Sequence, residues 1–227
     1  MRVSRVNAPI REQTLYELRS AIIRRQFKPG ERLYEQKLCD LIGVSRTTIR
    51  EVLRHLESEG LIQVVPQKGP IVAMLTLEEV ENIYQVREVL EGLACRLFAK
   101  RATPGAMSAL RRRLDLMEKY AAEKNVEKQV AESDAFYKVV LEGCGNKVVY
   151  SLIKLLFARI TFLRTMTLSQ EGRSLQSIEQ LRAMYEAFEK SDSDAAWDAS
   201  TFHIRDAKSV VLRVLQSQVD ENGTLPM

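Results

Sequence analysis

Leu41-Ile42-Gly43-Val44-Ser45-Arg46-Thr47-Thr48-Ile49-Arg50-Glu51-Val52-Leu53 is the stretch on which the reading of the chain turns. Gly43 suits the end of a helix, because glycine takes the left-handed backbone at no steric cost. Ser45 suits the start of the next one, where a hydroxyl accepts an unpaired backbone N–H. Glu51 lies too far along to complete a capping box. From there Ile49, Val52, Leu53 and Leu56 recur every three or four residues, which predicts a helix over Arg46–Ser58 with one apolar face. Upstream, Glu35–Ile42 fits a short helix that Gly43 ends.

Further upstream, Pro9–Gln26 carries Ile10, Leu15, Leu18, Ile22 and Ile23 on one helical face, and Pro29-Gly30 breaks the pattern. Downstream, Gly60 stops the second short helix. Two β-branched runs, Leu61–Val65 and Ile71–Leu75, flank Pro66-Gln67-Lys68-Gly69-Pro70 and predict a hairpin. Two helices, a tight turn and a two-stranded wing make a winged helix-turn-helix, expected over residues 1–75.

Beyond Leu75 no strand signal remains. Helices are predicted from Thr76 or Leu77 to Lys100, from Thr103-Pro104 to Lys124, and over Val126–Glu142, Asn146–Met166, Ser174–Lys190 and Asp194–Gln218, with a frayed end at Asp220–Met227. The fold class is therefore mainly α: an N-terminal winged helix-turn-helix and a C-terminal all-helical bundle of about six helices over residues 76–227.

The 227 residues are 45% apolar and 28% charged, close to an ordinary globular protein, so disorder is not the default reading. Cys39, Cys95 and Cys144 are odd in number and far apart, which excludes a disulfide framework and a thiolate zinc site and suits a reducing compartment. No secretory signal opens the sequence. The most apolar stretch, Val148–Leu163, is interrupted by Lys154 and Arg159 and is too short for a bilayer. No membrane is expected as a partner, and the expected location is cytoplasmic. Residues 1–75 hold 13 Lys/Arg against 8 Asp/Glu, whereas the rest hold 21 against 22. A basic head on a neutral body fits a polyanion-binding module joined to one with another task.

The major groove of B-DNA admits one α-helix, and the start of the second short helix carries chemistry to read it. Free N–H groups there suit a phosphate. Arg46 can meet guanine O6 and N7 through two hydrogen bonds, Thr47 and Thr48 offer hydroxyls or methyls, and Arg50 lies one turn on. Lys68 and Gly69 at the wing tip would approach flanking phosphates or the minor groove.

With Pro29-Gly30-Glu31-Arg32-Leu33, the Leu41–Leu53 run and Leu56-Glu57-Ser58-Glu59-Gly60-Leu61-Ile62, the head resembles the GntR family of bacterial transcription regulators. Carried over position by position, that resemblance places DNA contacts on Gln36, Ser45, Arg46, Thr47, Thr48, Arg50 and Gly69. The body, with Tyr84-Gln85-Val86-Arg87 before Leu90-Glu91, resembles more weakly the FadR-like subgroup and its FCD ligand-binding domain. That resemblance implies a homodimer on a pseudo-palindromic double-stranded DNA operator and a small-molecule effector, usually a carboxylate. It also implies, in many members, a divalent metal held by an Asp, a His one turn later and two further His.

Here the metal pattern departs. Ser133 stands at the Asp position, Tyr137 at the first His and Gln180 at the second, and only His203 is kept. Asp134 is one residue out of register, about 100° around the helix from that position. Ser, Tyr, Gln and one His make a poor donor set, so no cofactor is expected and a divalent metal is disfavoured. A polar pocket is expected instead. Val80, Ile83, Tyr84, Leu90, Ala94 and Leu97 form a stripe that contains Arg87. Val130, Ser133, Tyr137, Val140 and Cys144 form a second, and Ala199, His203, Val210 and Val214 a third. A buried arginine needs a partner, either an internal carboxylate such as one on a neighbouring helix or an anionic ligand. The expected effector-binding residues are Arg87, Ser133, Tyr137, Gln180 and His203, with no catalytic residues. The alternatives are an effector-independent regulator whose bundle only dimerises, one sensing an apolar acyl-type ligand, and an enzyme fused to a DNA-binding head. Against the enzyme, the chain lacks a nucleophile elbow, a phosphate loop and a dinucleotide fingerprint.

Overall fold

Gly43 and Ser45 set the geometry of the head. The computed structural model describes residues 8–222. α1 (Ala8–Ile23), α2 (Glu35–Ile42) and α3 (Arg46–Ser58) are followed by β1 (Ile62–Val65) and β2 (Gly69–Val72). Gly43 ends α2 in left-handed backbone, φ 75°, with its N–H donating to the Cys39 carbonyl at 2.8 Å. Ser45 is extended and its Oγ accepts the Thr48 N–H at 3.2 Å, a cap of a kind that contributes about 0.5–2 kcal/mol. Ile49, Val52, Leu53 and Leu56 turn inward from α3 and pack with Leu18 and Leu38, each contributing roughly 1.5–3 kcal/mol by burial.

Two details differ from the sequence expectation. Ile10 is 54% exposed; the buried face of α1 runs through Thr14, Leu15, Leu18 and Ile22, so Ile10 lies one turn before its first packed residue. β2 begins at Gly69, two residues before the β-branched run, and pairs antiparallel with β1 in the register Ile62↔Val72 and Val65↔Gly69. Pro70, whose carbonyl accepts the Leu33 N–H at 2.9 Å, turns its backbone nitrogen to that same side, away from β1, so its missing N–H costs no bond of the β1–β2 pairing. The Val72 N–H donates to the Glu31 carbonyl at 2.9 Å, and Arg32 bridges to Ile71, so residues 30–33 line the outer edge of β2.

The remaining elements are α4 (Leu77–Ala99), α5 (Pro104–Ala122), α6 (Val126–Gly143), α7 (Lys147–Leu168), α8 (Arg173–Glu189) and α9 (Ser193–Asn222). Of the described residues, those up to Thr76 together with Leu156–Phe162 form one compact unit. Leu77–Leu155 with the residues from Leu163 onward form the other. Thr103 caps α5 ahead of Pro104, and Asn125 and Asn146 cap α6 and α7 through their side-chain oxygens. In the helical unit α4 lies along α9, α5 packs on α6 and α8, and α8 packs on α9. α9 continues through Asn222, so the frayed end expected from Asp220 is helical at its start, and residues 223–227 lie outside the described residues. Among the described residues no helix is long and apolar enough to cross a membrane.

The inward face of α4 also needs correction. Leu90 and Leu97 are only half-buried, whereas Glu91, Cys95 and Phe98 are buried beside Val80, Tyr84, Arg87 and Ala94. The face holds a carboxylate where the apolar pattern had placed a leucine.

Candidate functional site

On the head, Arg46 and Thr47 are exposed in the first turn of α3, where backbone N–H groups lack helical partners. Gln36, on α2, meets Arg46: its Oε1 accepts from Arg46 Nε at 3.0 Å. Gln36 Nε2 donates in turn to Asp40 at 2.8 Å. The Ser45 and Thr48 hydroxyls lie 2.9 Å apart. Arg50 is held by a residue the sequence reading passed over, Glu35, whose carboxylate oxygens both lie 2.9 Å from Arg50 Nε. That hydrogen bond and the carboxylate's charge raise the arginine's pKa above its ordinary value. Lys68 is exposed in the three-residue turn between the strands, and Gly69 pairs with Val65 as the first residue of β2, φ 81°. The exposed arginines at a helix start can contact phosphates and guanine edges, and their tethers to α2 fix where they point.

Inside the helical unit, α4, α6, α7, α8 and α9 bring polar groups together in a setting that is otherwise apolar. Arg87 is 2% exposed and its Nε donates to Glu91 Oε1 at 2.7 Å. The expected partner on a neighbouring helix is therefore a carboxylate one turn along the same helix. The Arg87 guanidinium also lies 4.6 Å from the centre of the Tyr84 ring. Tyr137 lies under the guanidinium of Arg164, 4.8 Å from the ring centre, and Arg164 pairs with Asp134. Asp134 thus touches the site indirectly, from the register that had placed it aside.

Gln180 and His203 are joined: His203 Nδ1 is 2.8 Å from Gln180 Oε1. Arg173, 3% exposed, donates to the same oxygen at 3.1 Å, and Gln180 Nε2 donates to Asp206 at 2.7 Å. Asp206 also pairs with Arg173 at 3.0 Å. With Gln180 Oε1 accepting, His203 carries its proton on Nδ1 and leaves the Nε2 lone pair as an acceptor. The Tyr137 and His203 rings are 6.3 Å apart, and Ser133 is buried one turn before Tyr137 on α6.

Burial pulls the Arg87 guanidinium down, but Glu91 and Tyr84 outweigh it and hold its pKa above the ordinary value. Burial pushes the Tyr84 hydroxyl up, against the opposing pull of Arg87 and Arg164. It pushes Tyr137 well up, with Glu91 adding to it. Both phenols keep their protons. Burial, followed by the charges of Arg173, Arg87 and Arg164, holds His203 well below 6.5, so the imidazole is neutral at pH 7.

The resemblance's metal does not fit these residues. Gln180 Oε1 is taken by Arg173 and His203, so a guanidinium cation already lies against the donor set and a single imidazole is left to bind a metal. Among the described residues no three His, Cys, Asp or Glu side chains gather to hold an ion. The sequence reading also missed Glu91, Arg164, Arg173 and Asp206. Only Glu91 had a local signal, its one-turn spacing from Arg87.

Comparison with known proteins places both units. Residues 10–72 match the bacterial regulatory proteins of the gntR family, and residues 82–206 match the FCD domain. The chain is 28% identical over 181 residues to the HTH-type transcriptional regulator YdhC of Bacillus subtilis, covering 79% of this chain and 81% of that protein. It is 24% identical over 212 residues to the HTH-type transcriptional repressor RspR of Escherichia coli, covering 93% of each. The solved structure of McbR/YncC from E. coli superposes with a TM-score of 0.79 at 19% identity, over 94% of this chain and 99% of that one, a likeness of fold.

Proposed function

Since the chain belongs to the GntR family with an FCD domain, and is a transcription regulator and not an enzyme, we propose that it binds a pseudo-palindromic operator as a homodimer and that a small organic acid in the helical unit modulates the binding. The reading rests chiefly on one observation. Three buried arginines, Arg87, Arg164 and Arg173, gather with Tyr137, Gln180 and His203 inside an apolar bundle. Guanidinium groups recognise carboxylates through parallel hydrogen bonds. Such a cluster is costly to keep in a protein whose bundle only has to be a spacer. It also disfavours an acyl chain. In the head, Gln36, Ser45, Arg46, Thr47, Thr48, Arg50, Lys68 and Gly69 would carry the DNA contacts. The site of action would be the cytoplasm, where the DNA is.

The homodimer is supported by Val148, Leu152 and Leu155, exposed apolar residues on one face of α7. A two-fold protein reads a two-fold site, and an effector acts by preferring one of two arrangements of the pair. Arg87's internal pairing with Glu91 favours a second reading, in which the bundle dimerises and senses nothing. One experiment separates them. An operator is selected from a random DNA library with the full-length chain, and its affinity is then measured with and without a panel of small organic acids after metal chelation. A ligand-dependent change in operator affinity supports the sensor; an unchanged affinity across the panel supports the second reading.

A further inference from the structure

Two cations of the head share one aromatic ring. The Arg32 guanidinium lies 4.7 Å from the centre of the Tyr34 ring and the Lys37 ammonium 5.0 Å from it. All three side chains are exposed, and the ring itself is 47% exposed. Among the described residues neither cation forms an ion pair, whereas Arg19 pairs with Glu59 and Arg50 with Glu35. A ring face attracts a cation through its quadrupole, so Tyr34 orders two side chains that water would otherwise leave free. Two like charges gathered on one ring and answered by no acid repel each other, and an anion relieves that repulsion.

The place of the cluster names the anion. Arg32 bridges to Ile71 along the outer edge of β2, and its Nη2 lies over Gly69, 3.9 Å from where a β-carbon would stand. Lys37 follows Gln36, the residue that holds Arg46, on α2. Tyr34, just before α2, therefore joins a cation on the edge of the wing to a cation on the helix that tethers α3. A duplex whose groove takes α3 carries a phosphate charge on either side of that groove. We propose that Arg32 and Lys37 bind backbone phosphates flanking the bases that α3 reads, with Tyr34 as the positioning residue that holds both cations. This rests on the operator reading above and adds contacts made by none of the residues named there. Such contacts carry no sequence information; they fix how the head lies on the duplex.

The test uses the full-length chain, the operator selected from a random library and a random duplex of the same length, with fluorescence anisotropy from about 50 to 200 mM salt. Arg32→Ala and Lys37→Ala should each weaken both duplexes by a similar factor, roughly tenfold at about 0.1 M salt, and lower the slope of log affinity against log salt by about 1 per lost contact. Base preferences within the operator should stay those of the parent. Methylphosphonate substitution, which removes one phosphate charge at a time, should find a flanking position that matters to the parent and not to the double variant. Tyr34 begins α2 without a side-chain cap bond, so replacing it removes no cap. Tyr34→Phe keeps the ring and should match the parent. Tyr34→Leu leaves both charges untied and should weaken binding about threefold with an unchanged urea midpoint, its methylphosphonate sensitivity spread over neighbouring positions. Unchanged affinity and slope in both alanine variants overturn the phosphate contacts and leave operator binding standing. A loss confined to single operator bases overturns them as well. Identical behaviour of Tyr34→Leu and Tyr34→Phe overturns the part given to the ring. A parent that selects no operator overturns the reading beneath all of it.

Discussion

Both carboxylate oxygens of Glu35 lie 2.9 Å from Arg50 Nε, so an acid at the start of one helix holds a basic side chain of the next. The pair is exposed, and such pairs contribute only about 0–1 kcal/mol to folding. Its effect should fall on recognition. Glu35→Gln removes a charge that repels phosphates and releases Arg50 to contact any backbone. Affinity for random DNA should rise about tenfold while operator affinity changes less, so the ratio between them falls. Fluorescence anisotropy on both DNAs checks this, and an unchanged ratio would remove Glu35 from the account.

Arg46, exposed at the start of α3 and tethered to Gln36, is the proposed base contact. Arg46→Ala should cost about 1–3 kcal/mol of operator affinity and relax the preference at one base pair of each half-site. Titration against single-base operator variants measures both. A uniform loss across all variants would make Arg46 a phosphate contact.

Breaking the Arg87–Glu91 pair should be expensive, because either partner alone leaves a buried charge. Arg87→Met is expected to lose about 3–5 kcal/mol of stability in urea unfolding, and the double variant Arg87→Met with Glu91→Leu to recover most of it. The double variant should fold, dimerise and bind DNA without responding to the effector. A retained response would exclude the pair from the sensor.

Leu152→Asp places a charge amid the exposed apolar face of α7, between Val148 and Leu155. Light scattering should find a dimer for the parent and a monomer for the variant, with operator affinity reduced at least about a hundredfold by loss of the second half-site. A dimeric variant would move the interface elsewhere.

Acid should weaken the fold through His203. Its folded pKa lies well below 6.5, while the unfolded imidazole returns to about 6.5. Below that pH the unfolded chain binds a proton that the folded chain refuses. The contribution is therefore intact above about pH 6.5 and falls by up to about 1.4 kcal/mol per unit as the pH drops toward the folded pKa. The groups around the ring are Gln180, Tyr137, Arg173, Arg87 and Arg164. His203→Asn, whose amide can replace Nδ1–H toward Gln180, should flatten the slope. Urea midpoints at about pH 7.5, 6.5 and 5.5 measure it, and equal slopes for the two proteins would acquit His203.

The head was legible because each of its signals is local. Gly43 stops a helix, Ser45 starts the next, and the period of Ile49, Val52, Leu53 and Leu56 coincides with their burial. The polar site was only half legible. Tyr137 and His203 could be placed by register and Gln180 by the family resemblance, but a search for apolar stripes took Leu90 and passed over Glu91, since a carboxylate normally marks solvent. Arg164 and Arg173 carry no local mark. Their partners Asp134 and Asp206 lie on other helices, and packing alone brings them together. The start of β2 was missed because Pro70 reads as a turn residue; its missing N–H falls on the side away from β1, where the segment at residues 30–33 lies along the strand.

That segment has a thermodynamic consequence. With β2 held on one side by β1 and on the other by the Leu33 N–H and the Glu31 carbonyl, the wing is already in its final shape before any duplex arrives. It has little backbone entropy left to lose on docking. The heat-capacity change of docking should then reflect the surface covered, without the larger signature of a segment that folds as it binds.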